Sequence, residues 1–211
     1  MPDFRLPPLP DVKLPDDVLR LLDGVTLDAR LAAAVGQAWQ YSPYLRGLMR
    51  SRDATFRTLA TGGIEPAVAA AYAELGGDAP PAARLRRAKA DIALVAALAD
   101  LAGLWSLEQV TAALSDIADQ TLDLAVTTAI AERAPEADPS GFAVLALGKL
   151  GSHELNYSSD VDLIFLHDRA SLPRRERDDP DEAALRVARR VVELMQTRDG
   201  DGYVFRVDLR L

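Results

Sequence analysis

Apolar and polar positions follow two different rhythms along the chain. From Asp16 to about Ala131 the apolar residues recur at the spacing that gives a helix one dry face. From Phe142 onward they fall in short runs bounded by Gly, Pro and charged residues, the pattern of buried strands. In the first half, Asp16 can cap a short helix ending at Gly24, and Thr26 can cap the next, which carries Leu31, Ala34 and Val35. Ser42 followed by Pro43 is a cap with a proline at the first helical position, and Tyr44, Leu45 and Leu48 form the apolar face behind it. Short helices through 54–60 and 64–75 follow, the second closed by Gly76 and Gly77. A long helix over about 82–102 starts basic (Arg84, Arg86, Arg87, Lys89) and turns apolar (Ile92, Val95, Leu98). The next opens with Ser106 and Gln109, the spacing of a capping box, and runs to about Ala131.

The composition changes near 135–141. FAVLALG (142–148) reads as a buried strand, GKLGSHELN as a Gly-rich turn with a short helical segment, and VDLIFLH (161–167) as a second strand. A charged loop (173–182) leads to a helix over about 181–196. RDGDG (198–202) is a turn into a last strand, YVFRVDLRL. The expected class is therefore α+β, with an extended Pro-rich arm at 1–15, a helical region at 16–135 and a strand-and-helix core at 136–211.

Composition narrows the function. Hydrophobic residues make up 49% of the 211, enough for a sizeable core. The net charge of -8, with no long basic block, argues against general nucleic-acid binding, which needs a basic stripe to neutralise phosphates. The absence of cysteine excludes disulfides and thiolate metal sites. The first residues lack the basic start and apolar run of a signal peptide, and the apolar stretches are broken by Asp91, Asp100 and Asp119, so no membrane association is expected and the cytoplasm is the expected location.

The chemistry sits in the second half. On a strand, Asp160, Asp162 and Ile164 share one face while Val161, Leu163 and Phe165 share the other. Two close carboxylates, with no Lys or Arg two positions away on that face, repel one another, and a divalent cation relieves the repulsion. Hard oxygen donors suit Mg²⁺ or Mn²⁺. Taken alone, the pair reads equally well as two solvated residues at a strand entrance. In the last strand Arg206, Asp208 and Arg210 share a face with Val204. Pairing beside the first pair would make Asp208 a third metal carboxylate and turn Arg206 or Arg210 toward phosphate oxygens. The alternative there is an edge strand with one wet face. Gly151 and Ser152, at an expected strand-to-helix junction, suit a phosphate, and Lys149 is a candidate phosphate cation or a solvated turn residue. Together these parts describe two-metal phosphoryl or nucleotidyl transfer, with Asp160, Asp162 and Asp208 positioning the ions. His153 and His167 read as surface or packing residues, Trp39, Trp105 and Tyr44 as core, and Arg84–Lys89 as a solvated helix end.

The run LGKLGSHELNYSSDVDLIFLHD, together with DGYVFRVDLRL, resembles the glutamine synthetase adenylyltransferase family of the nucleotidyltransferase superfamily. SPYLRGLMRSR and AKADIALVAALADLAGLWSLEQVTAALSDIADQTLDLA are similar to its N-terminal helical region, so the resemblance covers about 42–211. It implies a nucleotidyltransferase-type mixed sheet with helices, with Asp160, Asp162 and Asp208 as metal-binding carboxylates and Gly151–Ser152 as the phosphate turn. Family members carry two such domains, and ELNYSSD and DGYVFRVD resemble the N-terminal, adenylyl-removing copy. That copy uses inorganic phosphate to release ADP from adenylylated glutamine synthetase, under control of the PII signalling protein and glutamine. In the family the final motif continues into further helices, so the chain is expected to be part of a longer, truncated domain. The carboxylates alone leave open the reverse reaction, ATP-dependent adenylylation, and a non-catalytic role for the helices as a binding platform.

Overall fold

The computed structural model describes residues 13–209, so most of the expected arm and Arg210 lie outside the described residues. Seven helices come first: α1 (Asp16–Leu22), α2 (Ala29–Tyr41), α3 (Pro43–Ser51), α4 (Asp53–Gly62), α5 (Ile64–Ala73), α6 (Pro81–Leu101) and α7 (Leu107–Ala131). They are followed by β1 (Phe142–Leu147), the single-turn α8 (Gly148–Gly151), β2 (Val161–His167), α9 (Pro180–Gln196) and β3 (Val207–Leu209). The arrangement is α+β, as the two rhythms predict. Among the described residues no helix is long and apolar enough to cross a membrane.

Local chemistry explains most boundaries. The Ser42 hydroxyl accepts from the Leu45 amide at 3.2 Å, with Pro43 at the first position of α3. The Ser106–Gln109 box forms in both directions: the Gln109 side chain accepts from the Ser106 amide at 2.9 Å, and Ser106 accepts from the Gln109 amide at 3.4 Å. Two expected caps differ. α2 is capped by Asp28, whose carboxylate accepts from the Arg30 and Leu31 amides, rather than by Thr26. α1 is preceded by Pro15, so Asp16 lies inside the helix.

The helices pack in two apolar clusters that meet on α6. One joins α1–α6 around Val35, Met49, Phe56 and Leu94. The other joins α5–α7, α9 and the sheet around Leu85, Ile117, Leu163, Val187 and Phe205. α6 can serve both because its middle turns are buried nearly all round, from Ala90 to Ala99. The basic start of α6 is not a solvated end. Arg86, 6% exposed, forms an ion pair with Asp199 and donates to the Thr197 carbonyl at 3.3 Å, while Arg87 reaches Asp201 at 3.3 Å. These contacts fasten α6 to the turn that leads into β3.

The three strands form one sheet in the order β1-β2-β3. β1 runs antiparallel to β2, with Leu147 opposite Asp162. α9 carries the chain across so that β3 runs parallel to β2, the usual use of a helical crossover. β3 is shorter than YVFRVDLRL suggests. Val204 and Phe205 are both buried, and both amides donate to the Met195 carbonyl, so the chain wraps the end of α9 before it becomes a strand.

One charge is buried inside the helical half. Asp91 of α6 is 2% exposed and accepts from Arg52 Nε at 2.7 Å, Arg52 Nη2 at 2.6 Å and the Thr55 hydroxyl at 2.6 Å. Arg52 stands between α3 and α4, so this fork ties both helices to α6. Removing one partner strands the other charge. Asp91→Ala should therefore lower stability by about 3–5 kcal/mol, measured as the urea denaturation midpoint; an unchanged midpoint would show that the fork contributes nothing.

Candidate active site

The strand register assembles the site. Val161 and Leu163 of β2 are fully buried, so Asp162 between them faces away from the core. In the parallel pairing Asp162 stands directly opposite Asp208. Asp160, just ahead of β2, lines the same cleft of about 420 Å³, together with Gly148, Lys149, Ser158, Ser159 and Arg206. The structure thus brings together Asp160, Asp162, Asp208, Lys149 and Arg206 of the residues expected from the sequence.

Gly148 explains how the cleft fits its carboxylates. Because Leu147 pairs with Asp162, the next residue must pass beside the Asp162 side chain. Gly148 does so at φ +56°, and a Cβ there would lie 2.8 Å from Asp162 Oδ2. Positive φ and the close approach both call for glycine. Gly151 and Ser152 lie elsewhere than expected. The strand-to-helix junction is at Leu147–Gly148, so this pair ends α8 instead of starting it. Gly151 sits against β1, where a Cβ would meet the Ala146 carbonyl oxygen at 2.6 Å. The Ser152 hydroxyl lies 3.2 and 3.3 Å from the carbonyl oxygens of Gly148 and Lys149, and Ser152 does not line the cleft.

The loop that delivers Asp160 is held by residues without an obvious chemical signature. Asn156 Oδ1 accepts from the Ser159 hydroxyl at 2.7 Å and the Ser158 amide at 3.3 Å, an Asx turn. The Leu155 amide donates to Ser115 of α7 at 3.1 Å, and the Leu155 side chain is fully buried. The asparagine two and three residues ahead of a serine pair was the readable signal. Tyr157 donates to Asp100 at 3.1 Å, and burial, reinforced by that carboxylate, pushes its phenol pKa upward.

Arg206 is the main electrostatic surprise. Its Nε forms an ion pair with Asp160, and Nη2 donates to the Ser158 carbonyl at 3.2 Å. Asp160 lacks a basic neighbour along its own strand, but the chain entering β3 supplies one. Asp162 and Asp208 also make contacts. Among the described residues no three carboxylate or imidazole groups already converge as a metal cage. The donor set nevertheless suits a hard divalent cation: three carboxylates from adjoining segments share one polar cleft. His153 and His167 lie apart from it, each paired at 3.0 Å with an aspartate, Asp116 and Asp181 respectively. Trp39 is buried as expected, but Tyr44 is 56% exposed because it points away from the face that buries Leu45 and Leu48.

Two bacterial relatives carry the name bifunctional glutamine synthetase adenylyltransferase/adenylyl-removing enzyme. That from Rhizobium meliloti (strain 1021) is 37% identical over 210 residues, covering 89% of this chain and 21% of the relative. That from Xanthobacter autotrophicus (strain ATCC BAA-1158 / Py2) is 39% identical over 211 residues, covering 90% of this chain and 21% of the relative. A third with the same name, from Bradyrhizobium sp. (strain ORS 278), is 34% identical and spans the whole chain. The chain thus corresponds to about a fifth of the length of the first two. The family pattern described as glutamate-ammonia ligase adenylyltransferase matches residues 32–211, taking in the cleft and the helices behind it, and the chain belongs to that family.

Proposed function

We propose that the cleft carries out metal-dependent nucleotidyl transfer on glutamine synthetase, in the adenylyl-removing direction. The observation that carries this reading is the register: Asp162 and Asp208 face one another across parallel strands, and Asp160 lines the same cleft. Asp160, Asp162 and Asp208 would hold Mg²⁺ or Mn²⁺, which supplies charge neutralisation and activation of the attacking oxygen. Lys149, at the cleft wall, would meet phosphate oxygens as a point charge. Arg206 would hold Asp160 in place, and would become a phosphate ligand once a cation competes for that carboxylate.

In the proposed reaction an oxygen of inorganic phosphate attacks the phosphorus of the tyrosine-linked adenylyl group. The new P–O bond makes ADP, the P–O bond to tyrosine breaks, and the tyrosine oxygen takes a proton. The direction rests on the resemblance of ELNYSSD and DGYVFRVD to the adenylyl-removing copy, and the relatives' names contain both activities. The partners would be glutamine synthetase, its nucleotide and phosphate, and the PII protein as regulator, all in the cytoplasm.

Two substitutions test the site, read as phosphate-dependent ADP release from adenylylated glutamine synthetase. Asp162→Asn keeps the shape but removes a metal carboxylate, and should cut the rate roughly a thousandfold. Activity equal to the unmodified chain would remove Asp162 from the chemistry. Incorporation of labelled ATP into glutamine synthetase, without ADP release, would instead assign the opposite direction. Gly148→Ala pushes a methyl group into Asp162 and should cost about a hundredfold by displacing that carboxylate, with circular dichroism confirming that the fold persists.

A further inference from the structure

A second concavity, of about 290 Å³, adjoins the carboxylate cleft and shares Ser158 and Arg206 with it. It forms where α3 and α6 meet the segment between α9 and β3, and its wall includes Tyr44, Lys89, Tyr157, Arg198 and Tyr203. The cations at this junction are treated unequally. Arg86 and Arg87 of α6 each receive a carboxylate from the turn below, Asp199 and Asp201. Arg206 is engaged by Asp160. Among the described residues Lys89 and Arg198 form no ion pair with a carboxylate. The one carboxylate on the wall, Asp201, is committed to Arg87.

Lys89 is the telling residue. Its ammonium lies 5.6 Å from the Tyr203 ring centroid and 5.7 Å from that of Phe205. Cation–π contacts steady a cation but leave its charge uncancelled. Burial pushes its pKa down, so keeping a charge here has a cost, and among the described residues no carboxylate pairs with it to offset that cost. A cavity walled by Lys89, Arg198 and phenol rings, opening onto a polar cleft, has the donors and size for a small polyvalent anion.

We propose that this second pocket binds a phosphate-bearing anion, held chiefly by Lys89 and Arg198, and presents it to the carboxylate cleft across Arg206 and Ser158. The assignment rests on the proposed function for its meaning, but not for its test. An apolar slot of about 260 Å³ continues from Tyr44 and Tyr157 past Leu45, Ala97 and Leu101. The anion is therefore either free phosphate or the phosphate of a nucleotide whose base enters that slot.

Calorimetric titration of the 211-residue chain with orthophosphate, AMP and adenosine decides the matter. Lys89→Met should weaken phosphate-dependent binding by about tenfold or more, while Lys89→Arg retains it. If only AMP binding depends on Lys89, the anion is a nucleotide phosphate; if orthophosphate binding depends on it too, free phosphate suffices. Because Arg198 is exposed, Arg198→Gln leaves the core untouched and should lower the same affinity even if Lys89→Met unfolds. The proposal is overturned if neither substitution changes the affinity, if adenosine binds as well as AMP, or if neither anion binds. Loss of ADP release in Asp162→Asn, with phosphate affinity indifferent to both pocket substitutions, would sink the pocket and leave the proposed function standing. The reverse pattern would sink the proposed function and leave the pocket.

Discussion

The site depends on the burial of one face of β2. Val161 and Leu163 are fully buried against the cluster that includes α7 and α9, and their side chains fix which way every other residue on the strand points. A one-residue slip would drive Asp162 into that apolar core and expose both neighbours. Burying an isolated carboxylate costs far more than a register shift can recover. The carboxylates therefore face the cleft because the hydrophobic residues between them cannot, and no separate device is needed to aim Asp162.

The same burial forces the rest of the constellation. α9 returns the chain beside β2, and the ends of α9 and β3 are locked together. The Met195 carbonyl accepts from the Val204 and Phe205 amides, and the Gln196 side chain donates to the Val207 carbonyl at 2.8 Å. That lock leaves Val207 opposite Val161 and so Asp208 opposite Asp162. Like charges directly opposite on neighbouring strands oppose pairing. The fold tolerates them on the wall of a polar cleft that Lys149 and Arg206 also line, and both carboxylates make further contacts there. A sheet selected for stability alone would place an apolar or oppositely charged residue at one of these two positions.

Much of this was legible because it is local. The Ser42–Pro43 start, the Ser106–Gln109 box and the span of β2 each depend on a few neighbouring residues, and each appears where the pattern puts it. Thr26 and Asp28 are equally plausible caps by type; Asp28 forms the cap because α2 begins later than expected. β3 was overestimated because alternation continues through Val204 and Phe205, while the backbone there is bonded to α9 rather than to a strand. The face shared by Asp160 and Asp162 was readable from period two, whereas Asp208 joins them only through the parallel pairing of β2 and β3. The Arg206–Asp160 pair was not, since it joins residues far apart in sequence. Gly148 was hidden for a related reason: its need for φ +56° arises only once Leu147 is paired with Asp162.

The helical half is featureless in sequence yet determines the charge around the cleft. α6 carries Asp91 and Lys89 two positions apart, and a helix sends such residues toward different neighbours. Asp91 turns to α3 and α4, where Arg52 and Thr55 satisfy it fully. Lys89 turns to the segment entering β3, where it meets two aromatic rings. The first arrangement fixes the position of α6 by an ion pair that tolerates little displacement. The second then holds a positive charge at the border of an acidic cleft. Both contacts depend on where α6 lies, so the buried ion pair in the helices and the electrostatics of the site are two consequences of one helix held in place.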